Sequence, residues 1–326
     1  MSYGRLSKPS FYMDNFNWQA SRGLNRNTAL AIKSASLNAG YDKYQMFDMN
    51  PINFASWNVG GGSTIISIQI DLGIAGIKTD SITIMNHDLN TQGGNIRVAS
   101  SAAVMAAAGG TTVQGLTEKL NGVVSGAYPS TVAIPAADGD TVLTFTSVST
   151  RYLLIEFDDV ASANWAGDVK IGAIVIGKKY TLPISPDMPV TKGTMFDGVQ
   201  VNQSYGGKAF GSAGWTVANT GSYTAFRTGT AELKIGGRET FDFSIGFMGD
   251  SNIYASDRAT PRASDNFLAD VIDKCSGNLL PFVFMIDSAS SIEGDFLYCR
   301  FDENTFQTIR KAWEVESFSL RLVQEF

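Results

Sequence analysis

The chain has 326 residues, 44% of them hydrophobic, which is enough to fill two cores of ordinary domain size. Its 25 basic residues stand against 31 acidic ones for a net charge of -6, and no Lys/Arg cluster occurs, so no nucleic-acid site is evident. No apolar run approaches the roughly 20 residues of a membrane span, and Cys275 and Cys299 fit neither a zinc pattern nor a disulfide framework.

In chain order, residues 1–40 read as an extended aromatic arm. Phe11, Tyr12, Phe16 and Trp18 are scattered among polar residues without a clear period. Disordered tails are poor in aromatics, so the expectation is a segment laid on another surface, of its own chain or of a neighbouring subunit. The opening residues lack the apolar core of a signal peptide, and assembly in a cytosol is expected.

Residues 41–182 form the first predicted domain. Ile66, Ile68, Ile70 and Leu72 alternate with polar residues, and Ile82 and Ile84, then Ile96 and Val98, repeat the pattern after glycine-containing breaks. Period-2 spacing gives each strand one buried and one wet face, and the breaks fit antiparallel connections. The stretch 101–127 is small-residue-rich and irregular. Strands resume at 131–135, 141–148 and 152–157, and 169–176 closes the domain. Pro183, Pro186 and Pro189 predict an extended linker over 183–190.

Residues 191–326 are again mostly strand, at 194–201, 223–228, 231–235, 241–247, 282–286, 296–301 and 318–323. One helix is predicted over 264–276, with Ser264 as N-cap, an apolar stripe of Phe267, Leu268, Val271, Ile272 and Cys275, and Gly277 at its end. The fold class is therefore all-β: two β-sandwich domains, the second flanked by one helix.

A search for chemistry returns little. His87 is the single histidine, no Gly-x-Ser-x-Gly motif accompanies it, and it reads as a loop residue bonded to a neighbouring turn. Gly206-Gly207-Lys208-Ala209 lacks phosphate-loop spacing. Asp158-Asp159 and the acidic loop 287–295 miss calcium-loop spacing. No cofactor, metal site or enzymatic activity is expected. Aromatic platforms are the better candidates. Trp57 precedes a strand and Trp165 lies in the loop before the closing one, and antiparallel pairing sets the 57–62 loop beside 86–94. Trp57, Asn86, His87, Asp88, Asn90 and Trp165 would then share one end of the sandwich, with chemistry suited to stacking and hydrogen-bonding a sugar. The alternative is that Trp57 plugs the core.

Three stretches carry a resemblance. Phe54-Ala55-Ser56-Trp57, Ile68-Gln69-Ile70-Asp71-Leu72-Gly73 and Ile82-Thr83-Ile84-Met85-Asn86-His87-Asp88-Leu89, closed by 152–157, resemble a discoidin-type, galactose-binding-like jelly roll. The Asp-Leu-Gly and Asn-His-Asp-Leu turns, with Ile171-Gly172-Ala173-Ile174-Val175-Ile176-Gly177, are similar to versions of this module in bacteriophage tail proteins. The helix, the run 280–287 and the ending 318–325 resemble the C-terminal part of those proteins, and the strand-rich second half is similar to a tail-tube-like sandwich. The resemblance implies a non-enzymatic structural subunit of a distal tail or baseplate. It would sit in the virion and form a homo-oligomer with other phage tail subunits through Phe11, Tyr12, Phe16 and Trp18. The first alternative is a receptor-binding protein recognising host surface glycans, and the second is a glycan-degrading enzyme.

Overall fold

The computed structural model describes residues 8–62, 64–74, 76–159, 164–195, 199–203, 209–213, 238–254 and 265–325. The strands expected at 223–228 and 231–235, the glycines and lysine of the 206–209 loop, and the Ser264 cap lie outside these residues. Within them the chain builds three stacked antiparallel sheets, a separate two-stranded sheet of Val199–Gln203 with Ala209–Ala213, and several short helical segments, of which the one at 268–275 packs on the third sheet.

The alternating strands form a sandwich. One sheet has seven strands, in the order Leu30–Ser34, Ile66–Asp71, Tyr152–Asp159, Gly94–Ser101, Val132–Ile134 and Val123–Ser125, with Thr111–Thr112 on the side of Gly94–Ser101. Register places Ile68 opposite Ile155, and Ile155 opposite Val98, so the period-2 apolar sets line one face. The second sheet has five strands, in the order Ala55–Trp57, Val169–Gly177, Thr79–His87, Gly139–Val148 and Thr117–Leu120. Ile82, Ile84, Ile174 and Ile176 project from it into the shared core.

Beyond its edge at Lys170 this five-stranded sheet is buried on both faces, which is why 171–177 reads as an unbroken apolar run rather than an alternating one. Met85, Val142, Ala173 and Val175 on its outer face meet Tyr12, Val283, Met285 and Tyr298 of a third sheet. The two glycines of that run are where other chain segments cross it. A Cβ on Gly172 would stand 2.4 Å from the Pro51 carbonyl oxygen, and one on Gly177 would stand 2.0 Å from that of Met13.

The third sheet has eight strands. Its order is Lys179–Thr181, Ser10–Tyr12, Phe282–Met285, Phe296–Phe301, Val315–Gln324, Arg238–Gly249 and Thr191–Met195, with Ile309–Ala312 paired to Val315–Gln324. Its far face carries Phe241, Phe243, Phe282, Phe284 and Phe318, covered by the helix through Phe267, Val271 and Cys275. That helix runs as a π-helical stretch, Leu268–Ile272, continued by Asp273–Cys275. Asn266 accepts the Ala269 amide at 2.9 Å, at its start, and Ser276 and Gly277 end it in left-handed conformation. Cys275 and Cys299 are free and buried in this core.

Two expectations are corrected here. The described part of the expected 1–40 arm, residues 8–40, is not extended: Ser10–Tyr12 is a strand inside the third sheet, Asn15–Ser21 and Arg26–Ala29 are helical turns, and Leu30–Ser34 is a strand of the sandwich. Phe11 enters the aromatic core, Tyr12 the seam between sheets, and Phe16 and Trp18 the sandwich core, all at most 2% exposed. One set of rings serving three surfaces leaves no single period to read. The boundary also moves. Tyr180 pairs with Phe11 and the Leu182 amide donates to the Pro9 carbonyl, so the chain joins the third sheet before the prolines begin. The sandwich is an insertion between strands 10–12 and 179–181, which are neighbours in one sheet. The strand expected over 194–201 is divided between Thr191–Met195 and Val199–Gln203.

Candidate functional site

The predicted end-cluster assembles. Trp57 pairs with Val169 and Ala55 with Ile171, which is in turn opposite His87. Gly61 and Gly62 exchange backbone hydrogen bonds with Trp165, at 2.9 Å each, and the Ala166 amide reaches the Gln92 carbonyl. The 57–62, 86–94 and 164–168 loops therefore share one end of the sandwich.

Its chemistry differs from the expectation. Trp57 and Trp165 are 0% and 1% exposed, so neither offers a face to a ligand. Trp57 is in phase with Ala55 and points inward, as the core plug. Trp165 donates from its indole nitrogen to the Thr64 carbonyl at 3.0 Å and packs against Gly94. His87 is equally internal. Its Nδ1 accepts the Leu89 amide at 3.3 Å, which leaves the proton on Nε2 to donate to Thr141 Oγ1 at 2.8 Å. Thr141 passes its own proton to the Asn121 carbonyl. Burial pushes the imidazole down to about 4, so it is neutral at physiological pH.

The polar members are also engaged. Asp88 accepts the Lys170 amide at 2.7 Å and the Gln92 side-chain amide at 3.3 Å, and burial raises its carboxyl above the ordinary value. Asn86 sits at φ 53° and donates to the Pro51 carbonyl at 2.8 Å. Asn90 is exposed, and its carbonyl accepts the Gly93 amide in the turn. These six residues brace loops; they do not present a platform.

A surface cluster that the expectation missed lies beside them. Tyr41 and Phe54 stack with ring centroids 5.7 Å apart at 28°, and the Lys170 ammonium stands 5.6 Å from the Phe54 centroid. Tyr41 is 37% exposed, and Phe54 half-buried. Next to them Asn38 bridges Ser56 Oγ and Asp168 Oδ2, at 2.9 Å each. The Asn38 amide, with the Gly60 and Val59 backbone amides, holds the Asp168 carboxyl below its usual range. Phe54, Ser56, Asp168 and Lys170 share the outer face because Ala55, Trp57, Val169 and Ile171 take the inner one. That alternation was legible: once Trp57 is placed inside, Phe54 must point out. The cluster offers an aromatic face, a cation, an amide and an ionised carboxylate. Among the described residues, no group of three His, Cys, Asp or Glu side chains is placed to hold a metal ion.

No family model matches the chain. No curated protein matches it. Among solved structures it is similar to chitosan-binding module 1 of a chitosanase/glucanase from Paenibacillus sp. IK-5, at 14% identity over 45% of this chain and 94% of that one, TM-score 0.32. It is also similar to the CBM32-1 module of a family 31 glycoside hydrolase from Clostridium perfringens, at 10% identity, covering 45% and 94%, TM-score 0.31. A third likeness is to the β-galactosidase BgaA of Streptococcus pneumoniae, at 12% identity, covering 45% and 90%, TM-score 0.29. Likenesses at these TM-scores carry no argument about this chain; its all-β sandwich architecture stands on its own sheet order and register.

Proposed function

We propose that this chain is a non-catalytic recognition protein that holds a glycan against the surface of its sandwich. The observation that supports this is the stacked pair Tyr41–Phe54 with Lys170 and the Asn38–Asp168 pair beside it. The C–H face of a pyranose stacks on such rings, while its hydroxyls donate to the carboxylate and accept from the ammonium. Binding is first sought on a glycan array and then measured by calorimetry. Tyr41→Ala is expected to weaken it about tenfold, the roughly 1.4 kcal/mol of one aromatic contact, with the melting temperature unchanged. Lys170→Gln should weaken it less. Absence of any glycan ligand, or full affinity in Tyr41→Ala, would overturn the reading.

One observation supports a second reading, a subunit of a larger protein assembly, for which the sequence resemblance suggests a bacteriophage tail. The rings expected to tether it are internal, but one end of the third sheet leaves large apolar side chains in solvent, Phe247 and Trp313 among them. Locating the chain in an electron-microscopy map of a particle tests that reading directly.

A further inference from the structure

The five-stranded sheet covers only part of the third sheet, and at the uncovered end four large apolar side chains stand in solvent. They are Met188, Phe247, Ile309 and Trp313, exposed by 81%, 71%, 62% and 83%. Register explains their grouping. Strands Arg238–Gly249 and Val315–Gln324 slip between Ile245 and Met248, so Gly246 and Phe247 together oppose the stretch at Ser317. Ser317 is paired on its other side with Ile309, which places Ile309 on the same face as Phe247. Trp313 and Glu314 form the hairpin turn, Glu314 at φ 56°. Asp187, next to Met188, donates its amide to the Ser244 carbonyl at 2.8 Å, bringing Met188 to this end.

The ridge is held in place. The Asp250 amide donates to the Glu314 carbonyl at 2.9 Å, and Arg310 bonds Glu316 at 2.9 Å and stands 3.6 Å from Asp250. A preformed apolar patch with protruding rings loses little side-chain freedom on docking, and patches of this kind mark interaction sites. The rim has both signs: Arg310 and Lys311 on one strand, Asp250 and Glu314 beside it. A lipid surface would select an excess of positive charge. Arg310 is engaged within its own copy by Glu316 and Asp250, but Lys311 and Glu314 leave the rim self-complementary under a two-fold axis, each copy's lysine meeting the other's glutamate. The two rings, Phe247 and Trp313, carry about 150–250 Å² each, and Met188 and Ile309 add smaller shares. The four side chains thus supply roughly 500 Å² per copy, about 1,000 Å² across the contact, the threshold for a specific interface.

We propose that this ridge docks onto a second copy of the same chain in an isologous dimer.

The test needs no ligand: analytical ultracentrifugation of the full chain across a dilution series. The wild type is expected to dimerise, and Phe247→Ser with Trp313→Ser to be at least tenfold weaker with the melting temperature unchanged. Val104→Ser, an exposed apolar residue on the sandwich, should change nothing. Lys311→Glu should weaken the dimer, and adding Glu314→Lys should restore it, a rescue in purified protein that only a second copy explains. A wild type monomeric at every concentration, or a dimer that survives the double serine variant, would overturn the proposal. So would a monomer that binds anionic vesicles through Trp313.

Discussion

The two cores of this molecule are assembled on opposite plans. The sandwich core is largely aliphatic, Ile66, Ile68, Ile70, Ile82, Ile84, Val98 and Ile155 among its members, and most of it comes from strands near one another in the chain. The core beneath the helix is largely aromatic, and it closes around Phe11, whose ring lies 5.6 Å from Phe267, 5.8 Å from Phe282 and 5.2 Å from Phe284. A core built from neighbouring strands announces itself by local alternation. A core built from the two ends of a chain does not, because neither end carries enough of the pattern alone.

The sharpest way to break the comparison is Phe11→Ala. Removing a fully buried ring costs about 3–5 kcal/mol when the cavity cannot collapse, and here it also loosens the strand that joins Lys179–Thr181 to Phe282–Met285. Denaturant unfolding should show a loss of that size, with Trp57 and Trp165 in the sandwich reporting a separate, later transition. If both halves still unfold together with under 1 kcal/mol lost, the aromatic core does not depend on the N-terminal strand.

A second measurement probes the sandwich alone. His87 is neutral in the folded chain down to about pH 4, whereas the unfolded imidazole takes its proton near 6.5. Between those values the unfolded state binds more protons, so stability falls as pH falls, by about 1.4 kcal/mol per pH unit and roughly 3 kcal/mol in all. Urea titrations from pH 7 to 4 should show this slope, and His87→Gln should flatten it. An unchanged slope in the variant would place the acid sensitivity elsewhere.

The smallest effect is expected at the seam. Lys274 is buried under Trp18, 3.9 Å from Asp270, which Lys178 already pairs at 2.5 Å; burial brings its ammonium down to about 8. Between pH 8 and the ordinary lysine value the unfolded chain holds a proton that the folded one has released, so stability rises with pH across that window. Lys274→Met should remove this rise and add about 1 kcal/mol at pH 7, because a poorly paired buried charge is replaced by apolar volume. Destabilisation by the variant would mean that Asp270 needs both lysines.

Much of the sandwich was legible for the reason these experiments exploit. Ile66–Asp71 and Thr79–His87 keep one face in the core over their whole length, and their phase is visible in the residues themselves. The grouping of the 57–62 and 86–94 loops at one end, beside Trp57, followed from antiparallel connection. The orientation of Trp57 did not, because an aromatic at the end of a strand suits a plug and a platform equally until its phase with Ala55 is counted. Tyr41 was unreadable for a different cause: it lies in a connecting loop, and only the fold brings it to Phe54. The prolines at 183, 186 and 189 mark an extended segment, but the sheet they were expected to precede begins at Lys179.

The place of strand Ser10–Tyr12 between Lys179–Thr181 and Phe282–Met285 sets a timetable for the protein's birth. A ribosome adding roughly 5–20 residues per second makes this strand first and its last partner some 270 residues later, an interval on the order of 15–50 s by the same rate. Through that interval Phe11 and Tyr12 belong to a nascent chain whose sandwich can already close, and they must stay free of other chains until residue 285 has left the exit tunnel.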